Sequence, residues 1–406
     1  MTAYLKRELA DMVARALGQM PVVVVSGMRQ VGKSTMLLHD PALRNREYID
    51  LDDFSLLEAA KTDPEGLLSR AKFVTIDEAQ RCPELFLSIK RMVDADRLPG
   101  RFLLSGSANI SLLKQVTESL AGRAVYFNLS PITIRETSRN IDEEPFLIRF
   151  AKELGLPGKA KHLGPITDNQ VIKGGMPQIL LGDIKDRELW FRSYEQTYLE
   201  RDLRDIASVD KILAFRRLLN LAAFRTAQVL NISNLAQDAG INRVTCERYI
   251  GLMNISFVTH ILRPYLKSGS ARLRKSPKLM MADSGITAYL TGVEDLQRSH
   301  MRGALYENYV FQNILGILEP HLIRSNIYYW QIAGRYEVDF VVEIGGETIA
   351  IEVKAATRWG DNDLSGLRAF ISRYPGCKAG ILAYNGREAV SLGDKMWAIP
   401  LSLLLS

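Results

Sequence analysis

The chain has 406 residues, 47% of them hydrophobic and 24% charged, with a formal net charge of +6. At about 100 to 200 residues per domain this predicts two to four domains, and the average composition excludes a disordered, fibrous or low-complexity polypeptide. A small positive excess permits a polyanionic partner without requiring one. Cys82, Cys246 and Cys377 match no CxxC or zinc spacing, which argues against a disulfide framework and for a reducing, cytoplasmic setting. Met1 to Ala16 carry Lys6, Arg7, Glu8, Asp11 and Arg15 among apolar positions, unlike the core of a signal peptide. No run approaches the roughly 20 apolar residues of a membrane span, so no membrane partner is expected.

From Pro21 to about Leu129, short apolar runs alternate with helical stretches, the pattern of an α/β unit with a parallel sheet covered on both faces. Strands are predicted at Val22–Val25, Glu47–Leu51, Phe73–Ile76, Phe102–Leu104 and Val125–Leu129. This first domain spans residues 1–135. Residues 136–210 read as a helical lid or connector broken by glycine-rich loops, 211–290 as a small helical domain with a basic hairpin, and 291–406 as α/β again.

Gly27-Met28-Arg29-Gln30-Val31-Gly32-Lys33-Ser34 fits G-x-x-x-x-G-K-[ST], follows a four-valine strand and runs into helical Thr35-Met36-Leu37-Leu38. That chemistry needs these residue types. Glycines let backbone N–H groups close on phosphates, Lys33 reaches the β and γ oxygens, and Ser34 ligates Mg²⁺. Phe73-Val74-Thr75-Ile76 ends in Asp77-Glu78, as expected where a buried strand meets its ligand. Asp77 is then expected in the Mg²⁺ shell, and Glu78 beside the attacking water. Ser107, after the strand Phe102–Leu104, is the candidate γ-phosphate sensor. Arg123, with Arg29 second, is the candidate charge-stabilising arginine. ATP with Mg²⁺ is the expected cofactor pair.

The runs G-M-R-Q-V-G-K-S-T, V-T-I-D-E-A-Q, L-S-G-S-A and L-A-G-R resemble a prokaryotic family of AAA+-type ATPases with an uncharacterised C-terminal domain. The resemblance continues through Gly174-Gly175-Met176-Pro177, Tyr198-Leu199-Glu200-Arg201-Asp202 and Asp283-Ser284-Gly285. It implies ATP hydrolysis by a homo-oligomer, and supplies no physiological substrate.

Ser233 to Met253 read as a helix, a glycine-containing turn and a second helix, with Leu235, Ala236, Ile241 and Ile250 inside. Arg243, Thr245 and Arg248 are the candidate DNA contacts of that second helix. Arg263, Lys267, Arg272, Arg274, Lys275 and Lys278 follow without an acid, interrupted by Gly269, as suits a wing against phosphates. A protein partner is the competing expectation for this winged-helix-like segment.

Glu337–Val342 and Thr348–Lys354 alternate around Gly345-Gly346, the signature of an antiparallel hairpin. Pairing Ile344 with Glu347 sets Asp339 opposite Glu352 and Glu337 opposite Lys354, with Val338, Phe340, Val342, Ile349, Ile351 and Val353 on the apolar face. Opposed carboxylates call for a cation, either Lys354 or a divalent metal. The D-x(12)-E-x-K arrangement resembles the PD-(D/E)xK nuclease core, although Val338 stands where that motif opens with proline. The resemblance implies a restriction-endonuclease-like domain, with a second metal at Glu307, Asp339 and Glu352, assisted by Lys354. Three functions remain open at this point: an ATP-driven machine or switch acting on DNA, an ATP-gated metal-dependent nuclease, and a nucleotide-dependent signalling or toxin–antitoxin-like switch that binds a protein.

Overall fold

The computed structural model describes residues 4–107, 120–156, 164–182, 184, 186–197, 212–266, 275–321, 325–332 and 334–406. β1 (Val22–Ser26), β2 (Glu47–Asp50), β3 (Val74–Asp77), β4 (Phe102–Gly106) and β5 (Ala124–Asn128) form a wholly parallel sheet in the order β2-β3-β4-β1-β5. Branched and aromatic residues favour extension here. The period of two sends Val22, Val24, Phe102 and Leu104 to one core and Val23, Val25 and Leu103 to another. Leu85, Phe86, Ile89 and Val93 of the helix Leu85–Ala95 cover the first face. The helices Leu9–Leu17 and Lys33–His39 cover the second. Each strand lies within two residues of its predicted bounds.

Asn231 caps the helix Ile232–Ala239, Gly240 turns the chain at φ +66°, and Asn242 caps the helix Arg243–Ile255. Leu235, Ala236 and Ile250 are buried between them, with Ile241 packed alongside. A hairpin follows, β7 (Thr259–Pro264) with β8 (Lys278–Met281), and β6 (Gln228–Val229) pairs with the far side of β8.

This hairpin does not stand apart. β7 pairs in parallel with β9 (Ser325–Ile332), Arg263 beside Tyr328 and Pro264 beside Tyr329. The sheet continues through β10 (Tyr336–Ile344), β11 (Glu347–Lys354), β12 (Ala379–Tyr384), β14 (Met396–Pro400) and β13 (Val390–Gly393), nine strands of mixed direction. Sheet and core are thus continuous across the expected division at residue 290. The expected connector is likewise drawn in: Phe146, Phe150 and Val171 share a core with Phe340, Ile351 and Ile381. The Phe146 N–H donates to the Ser406 carbonyl at 2.9 Å.

Two short motifs meet on the ATPase side of this unit. Asp283 is buried, caps the helix Ser284–Leu290 through the Ile286 N–H (2.9 Å) and accepts the Gly175 N–H at 2.6 Å. Burial pushes its carboxyl up to about 6, against the pull of those backbone donors. Gly174 has φ +68°, and a Cβ there would lie 2.4 Å from Asp283 Oδ1. Gly174→Ala is expected to cost about 1–3 kcal/mol through left-handed strain and overpacking. Gly303→Ala, whose Cβ would meet nothing within 4 Å, serves as the neutral control. Chemical denaturation of both variants measures the difference.

Candidate nucleotide site and the C-terminal carboxylate cluster

The loop from Gly27 to Ser34 joins β1 to the helix Lys33–His39. Gly27 (φ +154°) and Gly32 (φ +100°) take conformations that a side chain resists, and a Cβ on Gly27 would lie 2.5 Å from the Leu129 carbonyl oxygen. Lys33 is buried and folds back over the loop, donating to the carbonyls of Gly27 (3.0 Å) and Met28 (2.9 Å). Neutral carbonyls are weaker partners for an ammonium than anionic oxygens, so phosphate would draw it away. Ser34 is half-buried and Thr35 exposed.

Because β4 lies between β1 and β3, Ser105 is carried beside Asp77 and donates its hydroxyl to Oδ1. Tyr48 of β2 donates its phenol to Oδ2 at 2.5 Å, and the Glu78 N–H donates to Oδ1 at 3.0 Å. Burial first, then the Asp77 charge, pushes the Tyr48 phenol well above its ordinary range, which keeps it a donor. Asp77 is therefore oriented from three sides. Glu78 sits in the left-handed region at φ +52°, the kind of strain that collects at functional sites. Gln80 Nε2 donates to the Glu78 carboxylate and, at 3.3 Å, to Ser107 Oγ, so Glu78, Gln80 and Ser107 form one cluster.

Sequence reasoning missed Tyr48, Ser105 and Gln80. The tetrad Asp77-Glu78-Ala79-Gln80 held a signal for Gln80, whereas Tyr48 meets Asp77 only through strand order. Arg123 stands away from this cluster. It precedes β5 at the edge where the parallel strands begin, roughly 15 Å from the edge where they end. There it pairs with Asp94 through Nε (2.6 Å) and Nη2 (2.7 Å) and does not reach the loop of its own chain.

The C-terminal hairpin turns at Gly345 (φ +59°) and Gly346 (φ +92°), with Ile344 beside Glu347 and Phe340 beside Ile351, the expected register. A bulge between Val338 and Val341 then shifts the strand. Val338 consequently packs with Trp330 and Val341 on the opposite face from Phe340 and Val342, which corrects its predicted side. Past Phe340, Asp339 Oδ2 takes the Val353 N–H at 2.8 Å.

Glu307, on the helix Arg302–Leu318, does meet Asp339, but the cation between them is Lys278. Its Nζ lies 2.5 Å from Glu307, 3.0 Å from Glu337 and 3.6 Å from Asp339, and its side chain is 0% exposed. Lys278 was expected on a DNA-binding wing; it is inside the protein. Burial alone would lower its pKa, and Glu307, Asp339 and Glu337 more than reverse that, so it stays charged. Lys354 pairs with Glu352 (3.1 Å) and Asp363 (3.6 Å) instead of Glu337. Among the described residues no three His, Cys, Asp or Glu side chains are arranged to hold a metal. Where a second metal was expected at Glu307, Asp339 and Glu352, the Lys278 ammonium stands between Glu307 and Asp339, and Glu352 pairs with Lys354.

Of the remaining candidate DNA contacts, Arg243 and Arg248 are exposed on one helix, with Arg243 Nε 2.9 Å from Glu247. Thr245 is half-buried near the helix start and Lys275 is exposed. Arg272 and Arg274 lie outside the described residues, as do Lys267, Gly269 and the run from Tyr198 to Asp202.

Three family models match successive parts of the chain. Residues 19–138 match the AAA domain family, 166–297 a domain of unknown function (DUF8612) and 302–404 a second domain of unknown function (DUF4143). With the parallel sheet and the phosphate-binding loop, the first match defines the N-terminal part as an AAA-like P-loop ATPase domain. The uncharacterized protein Rv2008c of Mycobacterium tuberculosis is 28% identical over 99% of this chain and 85% of its own length. The uncharacterized protein MJ1544 of Methanocaldococcus jannaschii is 23% identical over 79% of this chain and 72% of its own. A solved structure, the Walker-type ATPase PABY2304 of Pyrococcus abyssi, overlaps 71% of this chain and 96% of its own at 15% identity and a TM-score of 0.45. Among the described residues no helix is long and apolar enough to cross a membrane.

The cluster makes a pH prediction. Burial, then Asp339, raises the Glu352 carboxyl to about 8, above its ordinary value of 4.5. A raised carboxyl carries no ionisation penalty below the ordinary value, a growing one between about 4.5 and 8, and a constant one above that. Glu352→Gln is expected to match wild type in thermal stability near or below pH 4.5, to exceed it increasingly up to about pH 8, and to hold that margin above. Lys278→Met should act oppositely, losing about 3–5 kcal/mol near pH 8 because it strands buried carboxylates. Melting curves across that range check both signs.

Proposed function

We propose that this chain binds Mg·ATP in the Gly27–Ser34 loop, hydrolyses it, and uses the cycle to switch its contacts with DNA. The observation that carries the ATPase reading is the fixed pair at the end of β3: Asp77 held by Tyr48 and Ser105, and Glu78 tied through Gln80 to Ser107. Gly27, Gly32 and the start of the following helix would cradle the phosphates, and Lys33 would exchange its two carbonyls for phosphate oxygens. Ser34 and Asp77 are the residues to hold Mg²⁺, whose chemistry there is neutralising charge on the β and γ oxygens. Glu78 polarises a water and Ser107 touches the γ-phosphate. Arg29 lies half-buried in the loop itself, whereas Arg123 could serve as an arginine finger only from a second copy of the chain.

The exposed Arg243 and Arg248, with Lys275 beyond them, support the DNA part, helped by the winged-helix-like order of helix, turn, helix and hairpin. Val244, 75% exposed between these charges, favours a second reading in which the same helix meets a protein.

Lys33→Ala is expected to reduce phosphate release to background. Glu78→Gln should keep nucleotide affinity and lose roughly 10²–10⁴ in kcat, the usual share of a positioned base. Duplex DNA should stimulate wild-type hydrolysis and leave Arg243→Glu/Arg248→Glu unstimulated. Turnover that ignores duplex, single-stranded and branched DNA alike would remove DNA from the account and leave the ATPase standing. Background turnover in wild type itself would remove the ATPase.

A further inference from the structure

Four charged side chains outside the proposed chemistry are buried behind the phosphate loop. Arg7 pairs with Glu136 and Glu8 with Arg135, each at 3.0 Å and each nearly inaccessible to solvent. Burying two ion pairs sacrifices the hydration of four ions, and apolar side chains of the same volume often serve stability as well. Their position is more informative than their presence.

Arg7 uses its whole guanidinium. Nη1 donates to the Val31 carbonyl inside the loop at 2.8 Å, Nη2 to the Ser130 carbonyl at 2.6 Å and Nε to Glu136 at 3.0 Å. Glu136 in turn accepts the N–H groups of Glu8 and Thr133, both at 2.9 Å. One fork therefore joins the phosphate loop to the segment 130–136.

That segment is the seat of the helix Arg302–Leu318. The Ile134 N–H donates to Asn313 Oδ1 at 2.8 Å, and a Cβ on Gly316 would lie 2.4 Å from Thr133 Cγ2. Beyond the helix, Glu319 accepts the Asn128 N–H at 2.8 Å, and His321 Nε2 lies 3.0 Å from Glu8. A void of about 10 Å³ among Arg7, Thr133, Glu136, Gly316 and Glu319 has room for at most a single water.

We infer that Arg7 is a positioning residue of the phosphate loop, and that through it the nucleotide state of the loop reaches the helix Arg302–Leu318. This rests on the nucleotide reading proposed above. The Val31 carbonyl and the Gly32 N–H belong to one planar peptide and point opposite ways. Holding the carbonyl from outside aims the N–H inward, toward the place of the phosphates. When phosphate draws Lys33 off the Gly27 and Met28 carbonyls, the loop re-aims its peptides. Arg7, bound to Val31, Ser130 and Glu136 at once, passes that shift to Ile134 and Asn313. The same helix carries Glu307 against Lys278 at its start, so its position bears on the interior charge cluster. Hydrogen bonds link these elements from Val31 to Asn313, and release of Lys33 from its carbonyls would give the second arrangement that coupling requires.

The test uses the full chain with Mg²⁺ and a nonhydrolysable ATP analogue, reading affinity by calorimetry and amide exchange over residues 302–318. Wild type should bind and change its exchange in that helix. Arg7→Met should weaken binding roughly 10- to 100-fold, the worth of a charge-assisted bond, and abolish the nucleotide-dependent exchange difference. Arg7→Lys should recover part of both. Arg7→Met/Glu136→Met leaves no stranded charge; it should fold, and should lose the exchange response as the single variant does. Wild-type binding with no change over 302–318, or a full response in the double variant, overturns the inference alone. No binding by wild type overturns the nucleotide reading with it.

Discussion

A parallel sheet ends all its strands at one edge, and strand order decides which side chains meet there. Here β4 separates β1 from β3, so a serine hydroxyl stands between the phosphate loop and the acid pair Asp77-Glu78. The same order brings the Tyr48 phenol from β2 to the other Asp77 oxygen. Everything at the nucleotide site follows from that edge: the glycine-permitted turn at Gly27 and Gly32, the folded-back Lys33, and the Glu78–Gln80–Ser107 cluster. It also explains why Arg123, at the opposite edge, serves Asp94.

The second half is organised by a different constraint, a charge that must be balanced without water. Asp339 and Glu307 are brought together by the bulged end of β10 and a buried helix face, and burial, then the Asp339 charge, pushes the Glu307 carboxyl well above its ordinary range. The chain meets this with Lys278 from the hairpin upstream. One ammonium thereby fixes β8 against the C-terminal sheet, and the parallel pairing of β7 with β9 does the same through the backbone. The anchored strands share a core with the helix Arg243–Ile255, through Leu279 and Met281 against Tyr249, Ile250 and Met253.

Much of this was legible in the residues, because local signals carried it. Four consecutive valines before a glycine-rich loop, an apolar strand ending in two acids, and two glycines between alternating runs gave strands, loop and register without help from the rest of the chain. The failures share a cause. Lys278 looks like one of six basic residues in an acid-free stretch, and only the fold brings Glu307, Glu337 and Asp339, up to about 60 residues away, around it. Val338 was placed on the wrong face because a one-residue bulge resets the period of two, and no bulge signal accompanies it. Arg7 gave no signal in an ordinary amphipathic start, since its partners arrive from two distant places, Val31 in the phosphate loop and Ser130 and Glu136 in the segment 130–136.

The central claim is that the loop at Gly27–Ser34 is a working phosphate cradle whose lysine waits on two of its own carbonyls. A crystal structure of the chain with Mg²⁺ and a nonhydrolysable ATP analogue tests it most directly. The account predicts Lys33 Nζ withdrawn from Gly27 and Met28 to the β and γ oxygens, with Ser34 and Asp77 facing the metal. Nucleotide seated elsewhere, or Lys33 still on its carbonyls beside bound phosphate, would contradict it.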